Sequence, residues 1–319
     1  MLSRDDYKKA KAGLNKLDEK KDQFEILSVK DIPQNLRINT TQSNEFSEVK
    51  CILFGHRCGS LSAIKLARYY AAQFVKLGEE IQILAEIKEI NLTEKDRFYP
   101  PWTDINIESI TDHNGVDYFA EDYIFATGAW THSLLAPYGI ASQIYPQKRQ
   151  MFTLRVKPDQ NALDIKKRIP ILVLPSSGVY IKPVLQNSLI MVGCANELGN
   201  PYQIDTYPPA AEEDYFKHVI EPVLNHYFPQ LEDYSLFSKW AGYYAYYWPD
   251  KNPVIEKVSN IQWMSGTSGS GIMKADAIGR IAAAKSLDLK EVELYDETKF
   301  LVADLSLKKR KVDIEELII

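Results

Sequence analysis

The chain has 319 residues, enough for about two domains, and its 45% apolar and 25% charged residues suit a globular protein able to bury a core. A formal charge of -5 speaks against a nucleic-acid footprint, no apolar run approaches the roughly 18 residues needed to span a bilayer, and the first residues are charged rather than signal-like. Cys51, Cys58 and Cys194 show no C-x-x-C spacing, so neither a metal knot nor a disulfide framework is indicated and a cytoplasmic protein is the expectation.

Over the first 30 residues the pattern predicts a polar helix: Ser3 and Asp6 form a capping box, and Leu14, Leu17 and Phe24 give a thin apolar stripe. A short strand over 50–54 leads through Gly55, His56, Arg57, Cys58 and Gly59 into a helix over 62–77. There Leu66, Tyr69, Tyr70, Phe74 and Leu77 recur at helical spacing before Gly78 stops it. Residues 78–90 alternate as a strand containing Ile87, and 95–105 is a loop around Pro100, Pro101 and Trp102. Asn114-Gly115 signals a hairpin. The run IFATGAW at 124–130 is an apolar strand entering a small-residue turn (Ala126, Thr127, Gly128), where a ligand can lie close to the backbone; a helix to Leu135 follows. A turn without a ligand would use the same glycine.

Beyond 145–150 the character changes. Strands over 151–156, 171–174, 179–182 and 189–192 with short polar joints predict an antiparallel sheet; a helix over 210–228 and strands over 234–247 follow. Then WAGYYAYYWPDKNPVI at 240–255 precedes a strand at 261–264, a loop with Gly266, Gly269 and Gly271, and an Ala/Ile-rich helix to 287. A glycine loop feeding a helix aims backbone N–H groups outward at the positive end of the helix dipole, which suits an anion or a carbonyl oxygen. Three strict motifs fail here. Ile272 and Met273 stand where a P-loop needs Lys and Ser/Thr, Ser270 replaces the last glycine of a nucleophile elbow built on Ser268, and Lys274 replaces the third glycine of a dinucleotide fingerprint. The tail after Lys299 alternates apolar and polar residues and ends as a strand, with 308–311 a solvated hairpin. The five histidines show no metal spacing, so no metal site is assigned.

Taken together, WPDKNPVI, SGTSGSGIMKADAIG and IFATGAW resemble the FAD-dependent oxidoreductases of the D-amino-acid oxidase superfamily, the group of glycine oxidase, sarcosine oxidase and the proline and dimethylglycine dehydrogenases. The resemblance runs from about Leu53 onward, and Tyr145-Pro146-Gln147-Lys148-Arg149-Gln150 is similar to a crossing point between the family's domains. It implies an α/β plus antiparallel β fold, an incomplete Rossmann-like FAD-binding domain with an inserted substrate domain. The parts would be 1–56 (N-terminal helix and strands, mostly substrate domain), 57–148 (FAD-binding), 149–257 (substrate) and 258–319 (FAD-binding and C-terminal strands). It further implies that Gly269, Ser270, Gly271, Ile272, Met273 and Lys274 face the flavin head, and that Ala126, Thr127, Gly128 and Trp130 abut the ribose and pyrophosphate side. Ile87 would lie near the adenine, although on its own terms it is a core strand residue.

The family's opening strand with G-x-G-x-x-G does not occur among these residues. The expectation is therefore a shortened chain, a start further upstream, or a second polypeptide supplying that unit. A non-catalytic or incomplete subunit is the alternative, which alone holds FAD weakly and self-associates. The family's activity implies oxidation of a C–N bond in a small amine or amino acid by hydride transfer to non-covalent FAD, since no cysteine stands where some members link the flavin. The substrate-binding arginine of glycine oxidase-like members is replaced by tyrosines. Candidate substrate contacts are Tyr180, Lys182, Tyr243, Tyr244 and Tyr246, with packing the competing role for each tyrosine; the catalytic residue is unassigned. His56 is the one histidine beside a glycine turn that the fold would bring near the flavin, with an ordinary surface-loop histidine the favoured competing role, and a serine hydrolase built on Ser268 or Ser270 is a third, weaker reading.

Overall fold

The computed structural model describes residues 1–15, 22–32, 36, 38–93, 105–156, 170–184, 188–196, 198–199, 202–231 and 233–315. The expected loop at 95–105 and the end of the tail lie almost wholly outside them. Helix α1 (Arg4–Asn15) starts behind Ser3, whose Oγ accepts the Asp6 N–H at 3.2 Å while the Asp6 carboxylate accepts the Ser3 N–H at 3.1 Å. The helix does not extend to 30: Phe24 opens strand β1 (Phe24–Ser28), which pairs antiparallel with β2 (Cys51–Gly55) in the register Phe24 to Gly55 through Ser28 to Cys51. The weak helical stripe loses there to a long-range strand pairing that satisfies the backbone groups of FEILS facing β2. Helix α2 (Ala63–Lys76) is capped by Ser62 and stopped by Gly78 at φ +96°.

The strand expected from 78 begins only at Ile87 and forms β3 (Ile87–Leu92), with β4 (Ile107–Asp112) and β5 (Asp117–Tyr118) turning around Gly115 at φ +80°. Strand β6 (Tyr123–Phe125) is followed by a 3-10 turn (Gly128–Trp130) and α3 (Thr131–Leu135). Strands β7 (Ile144–Val156), β8 (Leu172–Val173), β9 (Val179–Val184) and β10 (Leu189–Cys194) come next. One helical run then comprises α4 (Glu213–Tyr215), a π turn (Phe216–Ile220) and α5 (Glu221–Tyr227). The π turn abuts Pro222, which has no N–H for the regular ladder. The chain continues through β11 (Tyr234–Tyr247), β12 (Val254–Val258), β13 (Ile261–Ser265), α6 (Gly271–Ser286) and the hairpin of β14 (Glu291–Glu293) and β15 (Lys299–Leu301).

Two compact units divide the chain. The first comprises 1–60 and 148–243; the second comprises 61–147 and 244–318, so residues 244–257, including β12, group with β13 and α6. In the first unit, the sheet order β11-β7-β10-β9-β8, antiparallel from β7 through β8, presents Phe152, Leu154, Ile181, Ile190 and Val192, all fully enclosed, to Ile220, Leu224, Tyr227 and Phe228. Alternate residues point to the opposite face, which carries Tyr180, Lys182, Met191 and Gly193 in register.

In the second unit, β12 pairs antiparallel and β6 parallel with the central β13, while β3-β4-β5 form a separate antiparallel sheet. Helix α6 packs Ile281, Ala282 and Ala284 against Ile255 of β12. Alanines let the helix approach closely, and the enclosed Gln262 side chain of β13 donates to the Ala282 carbonyl at 2.9 Å, fixing its rotation.

Helix α2 buries no residue. Its stripe is exposed: Phe74 keeps 46% and Leu77 80% of its surface, and Tyr69 and Tyr70 are exposed as well. A helix with an amphipathic pattern and no packed face is an association surface. The protein is expected to run as larger species in size-exclusion chromatography as concentration rises. Tyr70→Lys, Phe74→Glu and Leu77→Lys together should restore a single small species while changing unfolding free energy by no more than about 0.5 kcal/mol per site. Loss of folding in that variant would show the face to be buried instead.

Candidate functional site

Because β6 and β13 are adjacent and parallel, with Tyr123 opposite Ile261 and Phe125 opposite Trp263, their C-terminal ends release two small-residue segments side by side. One is 126–130 and the other 265–271. The Ser265 hydroxyl donates to the Gly128 carbonyl at 2.9 Å, so the two segments touch. The carboxyl edge of parallel strands is where open α/β sheets place ligands.

The loop after β13 is held by its own chain. Gly266 (φ +78°) and Gly269 (φ +97°) occupy left-handed backbone, and Ser268, fully buried, also has a positive φ. The Ser268 N–H donates to the Ala245 carbonyl at 2.8 Å, its hydroxyl donates to the Gly266 carbonyl at 3.1 Å, and the Tyr247 N–H donates to that hydroxyl at 3.1 Å. Ser270 is equally enclosed and donates to the Thr267 carbonyl at 3.1 Å. Both hydroxyls therefore serve the loop's own backbone rather than standing ready as nucleophiles. A Cβ on Gly271 would lie 2.8 Å from the Thr267 hydroxyl oxygen and 2.9 Å from its Cβ, so this glycine is required by packing inside the loop.

Helix α6 begins at Gly271 with no side-chain cap and no acidic residue in its first turn. The Gly271 and Ile272 N–H groups belong to that turn, where no helical carbonyl precedes them. The donor set is thus backbone N–H at the positive end of a 16-residue helix, fitted to a carbonyl or anionic oxygen. Beside it, Gly128 has φ +55°, and a Cβ added there would meet nothing within 4 Å. Open space flanks that backbone, as a planar ligand requires. Ala126 and Trp130 are exposed at the same turn, and the Thr127 hydroxyl bonds that of Thr131 at 3.1 Å. Ile272 and Met273 are also exposed, Met273 by 67%.

Two other sequence-named residues differ in placement. The Lys274 ammonium donates to Asn252 at 2.8 Å and to Glu315 at 2.6 Å, so its side chain is tied to the C-terminal segment. Ile87 pairs with Asp112 in the separate β3-β4-β5 sheet rather than alongside β6 and β13.

Arg310 was hidden in what the sequence presents as a solvated hairpin. Its guanidinium grips Asp250 of the WPDKNP turn through Nε and, at 2.6 Å, through a terminal nitrogen. It also donates to the carbonyls of Asn252, Pro253 and Leu305 at 2.9, 2.9 and 3.1 Å, and lies 4.5 Å from the centre of the Tyr247 ring. Burial pushes the Tyr247 phenol above its ordinary pKa, partly opposed by Arg310. The acid of the PDKNP turn therefore holds the backbone beneath the glycine loop.

In the first unit, Tyr180 lies across Gly193 of the next strand: a Cβ there would come within 2.6 Å of the phenol oxygen. Lys182, half-buried, shares that face. The Tyr243 hydroxyl is 2.5 Å from an Asp205 carboxylate oxygen, a contact that holds Asp205 below the usual carboxylate range. His56 pairs with Glu25 at 3.2 Å. In the second unit, Tyr244 is half-buried and Tyr246 is enclosed, with its ring 5.7 Å from that of Trp248. No helix among the described residues is long and apolar enough to cross a membrane.

Residues 7–285 match the family described as DAO: FAD dependent oxidoreductase. A Xenopus laevis protein, FAD-dependent oxidoreductase domain-containing protein 1, is 27% identical over 179 residues, covering 52% of this chain and 34% of its own. The Bifunctional protein ThiO/ThiG of a Nostoc strain is 28% identical over 167 residues, covering 51% of this chain and 22% of its own. The chain thus spans about a third or less of these curated relatives. Among solved structures, L-proline dehydrogenase from P. horikoshii has a TM-score of 0.66 at 19% identity, covering 90% of this chain and 71% of that one. Glycine oxidase from Geobacillus kaustophilus has a TM-score of 0.64 at 17% identity, covering 91% and 68%. These likenesses show the fold: mixed α/β with antiparallel sheets.

The Asp250 latch is testable without any ligand. Asp250→Ala leaves a buried guanidinium short of its anion, and equilibrium denaturation is expected to show a loss of about 3 kcal/mol. A loss below about 1 kcal/mol would show that the pair contributes no more than a surface ion pair.

Proposed function

The chain belongs to the DAO family of FAD-dependent oxidoreductases, and on that premise we propose that it oxidises a C–N bond of a small amine or amino acid, with the paired segments 126–130 and 265–274 holding FAD. The observation that carries this is the hydrogen-bonded pair of glycine segments at the ends of β6 and β13, opening at the start of α6. Names of similar proteins support the substrate class: L-proline dehydrogenase and glycine oxidase among solved structures, D-amino acid dehydrogenase from Vibrio atlanticus among curated relatives.

Bound FAD would supply the two-electron acceptor for the hydride of the C–N bond. The chain's own residues bind and orient. The Gly271 and Ile272 N–H groups would donate to the flavin head, Gly269 and Gly128 would let it approach the backbone, and Ala126, Thr127 and Trp130 would flank it. Ile87 remains a proposed adenine neighbour. Tyr180, Lys182, Tyr243, Tyr244 and Tyr246 are the proposed substrate contacts. Lys182 would contribute a cation for a carboxylate, and the aromatic rings would exclude water around the reacting bond.

A second reading has its own support in the uncovered α2 stripe: a subunit that keeps the scaffold but needs further polypeptide to hold FAD. A few backbone hydrogen bonds, each contributing about 0.5 to 1.5 kcal/mol, barely offset an immobilisation cost of at least ~4 kcal/mol. Titration of the purified 319-residue chain with FAD, followed by flavin fluorescence, is accordingly expected to saturate only with flavin well above protein. Gly128→Ala, whose Cβ would meet no protein atom within 4 Å but would enter the open space, should weaken binding by at least about ten-fold, with a melting curve confirming that the chain still folds with a side chain at φ +55°. An unchanged titration in that variant would contradict the site. Protein purified yellow with one flavin per chain would overturn the second reading.

A further inference from the structure

We propose that helix α2 (Ala63–Lys76) is an interfacial membrane anchor that seats the second unit on a lipid surface carrying negative headgroups. The proposal does not depend on the flavin reading. It assigns an occupant to the stripe that the helix leaves uncovered.

The sequence AIKLARYYAAQFVK sorts its residues by face. At 3.6 residues per turn, Ile64, Leu66, Tyr70, Phe74, Val75 and Leu77, with alanines between them, share an arc of roughly 180°. Lys65, Arg68 and Lys76 fall on the opposite arc. The helix contains no Asp or Glu, and the first acids, Glu79 and Glu80, come after Gly78 has ended it. Among the described residues none of these cations has an ion-pair partner. In a chain whose formal charge is -5, this is a local reversal of sign. Ile64, Phe74, Val75 and Leu77 are exposed, and the apolar exposure continues past the helix stop at Ile81, Ile83 and Leu84. A face of that extent calls for a partner.

A second copy or another polypeptide laid over the stripe would bury the apolar arc and leave the cations opposite it unneutralised. An anionic bilayer uses both arcs at once: the stripe enters the acyl boundary while the long Lys and Arg side chains reach back to the headgroups. Tyr69 and Tyr70, whose rings meet edge to face at 5.7 Å, suit the headgroup level, where a phenol stays wet and its ring does not. The apolar residues beyond Gly78 leave the helical period, and a fluid surface, unlike a groove, demands no fixed spacing from them. At 14 residues the helix is too short to cross a bilayer, so it lies in the interface. Without lipid, the same face drives the self-association expected above.

The test floats the full chain with vesicles of phosphatidylcholine alone and of phosphatidylcholine with about a third phosphatidylserine. Binding to the anionic vesicles is expected to be at least about ten-fold tighter than to the neutral ones, and to weaken as sodium chloride rises. Lys65→Gln, Arg68→Gln and Lys76→Gln together should erase that preference. Phe74→Ser with Leu77→Ser, which keeps every charge, should weaken binding to the anionic vesicles by at least about ten-fold. Melting curves report whether each variant is folded. In the parent protein, hydrogen–deuterium exchange should show lipid-dependent protection over 63–84, a check that needs no substitution. Equal binding to the two vesicles, an anionic preference that survives in the folded glutamine variant, or protection confined to other segments would each overturn the proposal. Binding to neither vesicle would also overturn it and leave the stripe to a second copy or another polypeptide.

Discussion

The parallel pairing of β6 with β13 is the constraint on which the rest depends. Three residue pairs set it, from Tyr123 and Ile261 to Phe125 and Trp263. A strand's side chains alternate, so a slip of one residue would turn Tyr123 and Phe125 out of the core and move Gly128 away from Ser265. The register thus fixes both the core packing and the meeting of two glycine segments more than 130 residues apart in sequence. Stability and ligand geometry are set by the same contacts.

Around that pairing, the protein commits buried polar groups to holding backbone rather than to chemistry. Ser268 ties the glycine loop to the end of β11, Gln262 ties β13 to α6, and Arg310 with Asp250 ties the turn before β12 to the C-terminal segment. Ser268, Gln262 and Asp250 are enclosed and Arg310 nearly so, and each is hydrogen-bonded, as a buried polar group must be. Such a scaffold holds N–H groups in place before any ligand arrives, which reduces the ordering cost of binding. It also explains why the loop matches none of the strict glycine motifs. Its glycines serve three tasks: left-handed backbone at Gly266 and Gly269, internal packing at Gly271, and open space at Gly128.

Much of this was legible in the sequence. Local signals carried β6, β13, α6, the Asn114-Gly115 hairpin and the antiparallel strands of the first unit, because period, glycine and capping residues act over a few residues. Contacts between distant segments were not legible. Local pattern places Phe24 in a helix because its partner, β2, lies some thirty residues away. Local pattern places Arg310 in solvent because Asp250 is 60 residues distant. Tyr243 stood out as an aromatic in a tyrosine-rich strand, yet nothing local reveals that its hydroxyl meets Asp205. Helix α2 shows the opposite limit: its apolar period was correctly read as helical, but periodicity cannot say whether a face has a partner.

Backbone hydrogen–deuterium exchange with and without FAD tests the central claim most directly, since it reads individual segments and needs no substrate. At a flavin concentration high enough to load the protein, the account predicts added protection in two peptides together, 126–130 and 266–274, with β9 and β10 unchanged. Protection confined to other segments, or to one of the two without the other, would contradict a flavin site built on the paired ends of β6 and β13.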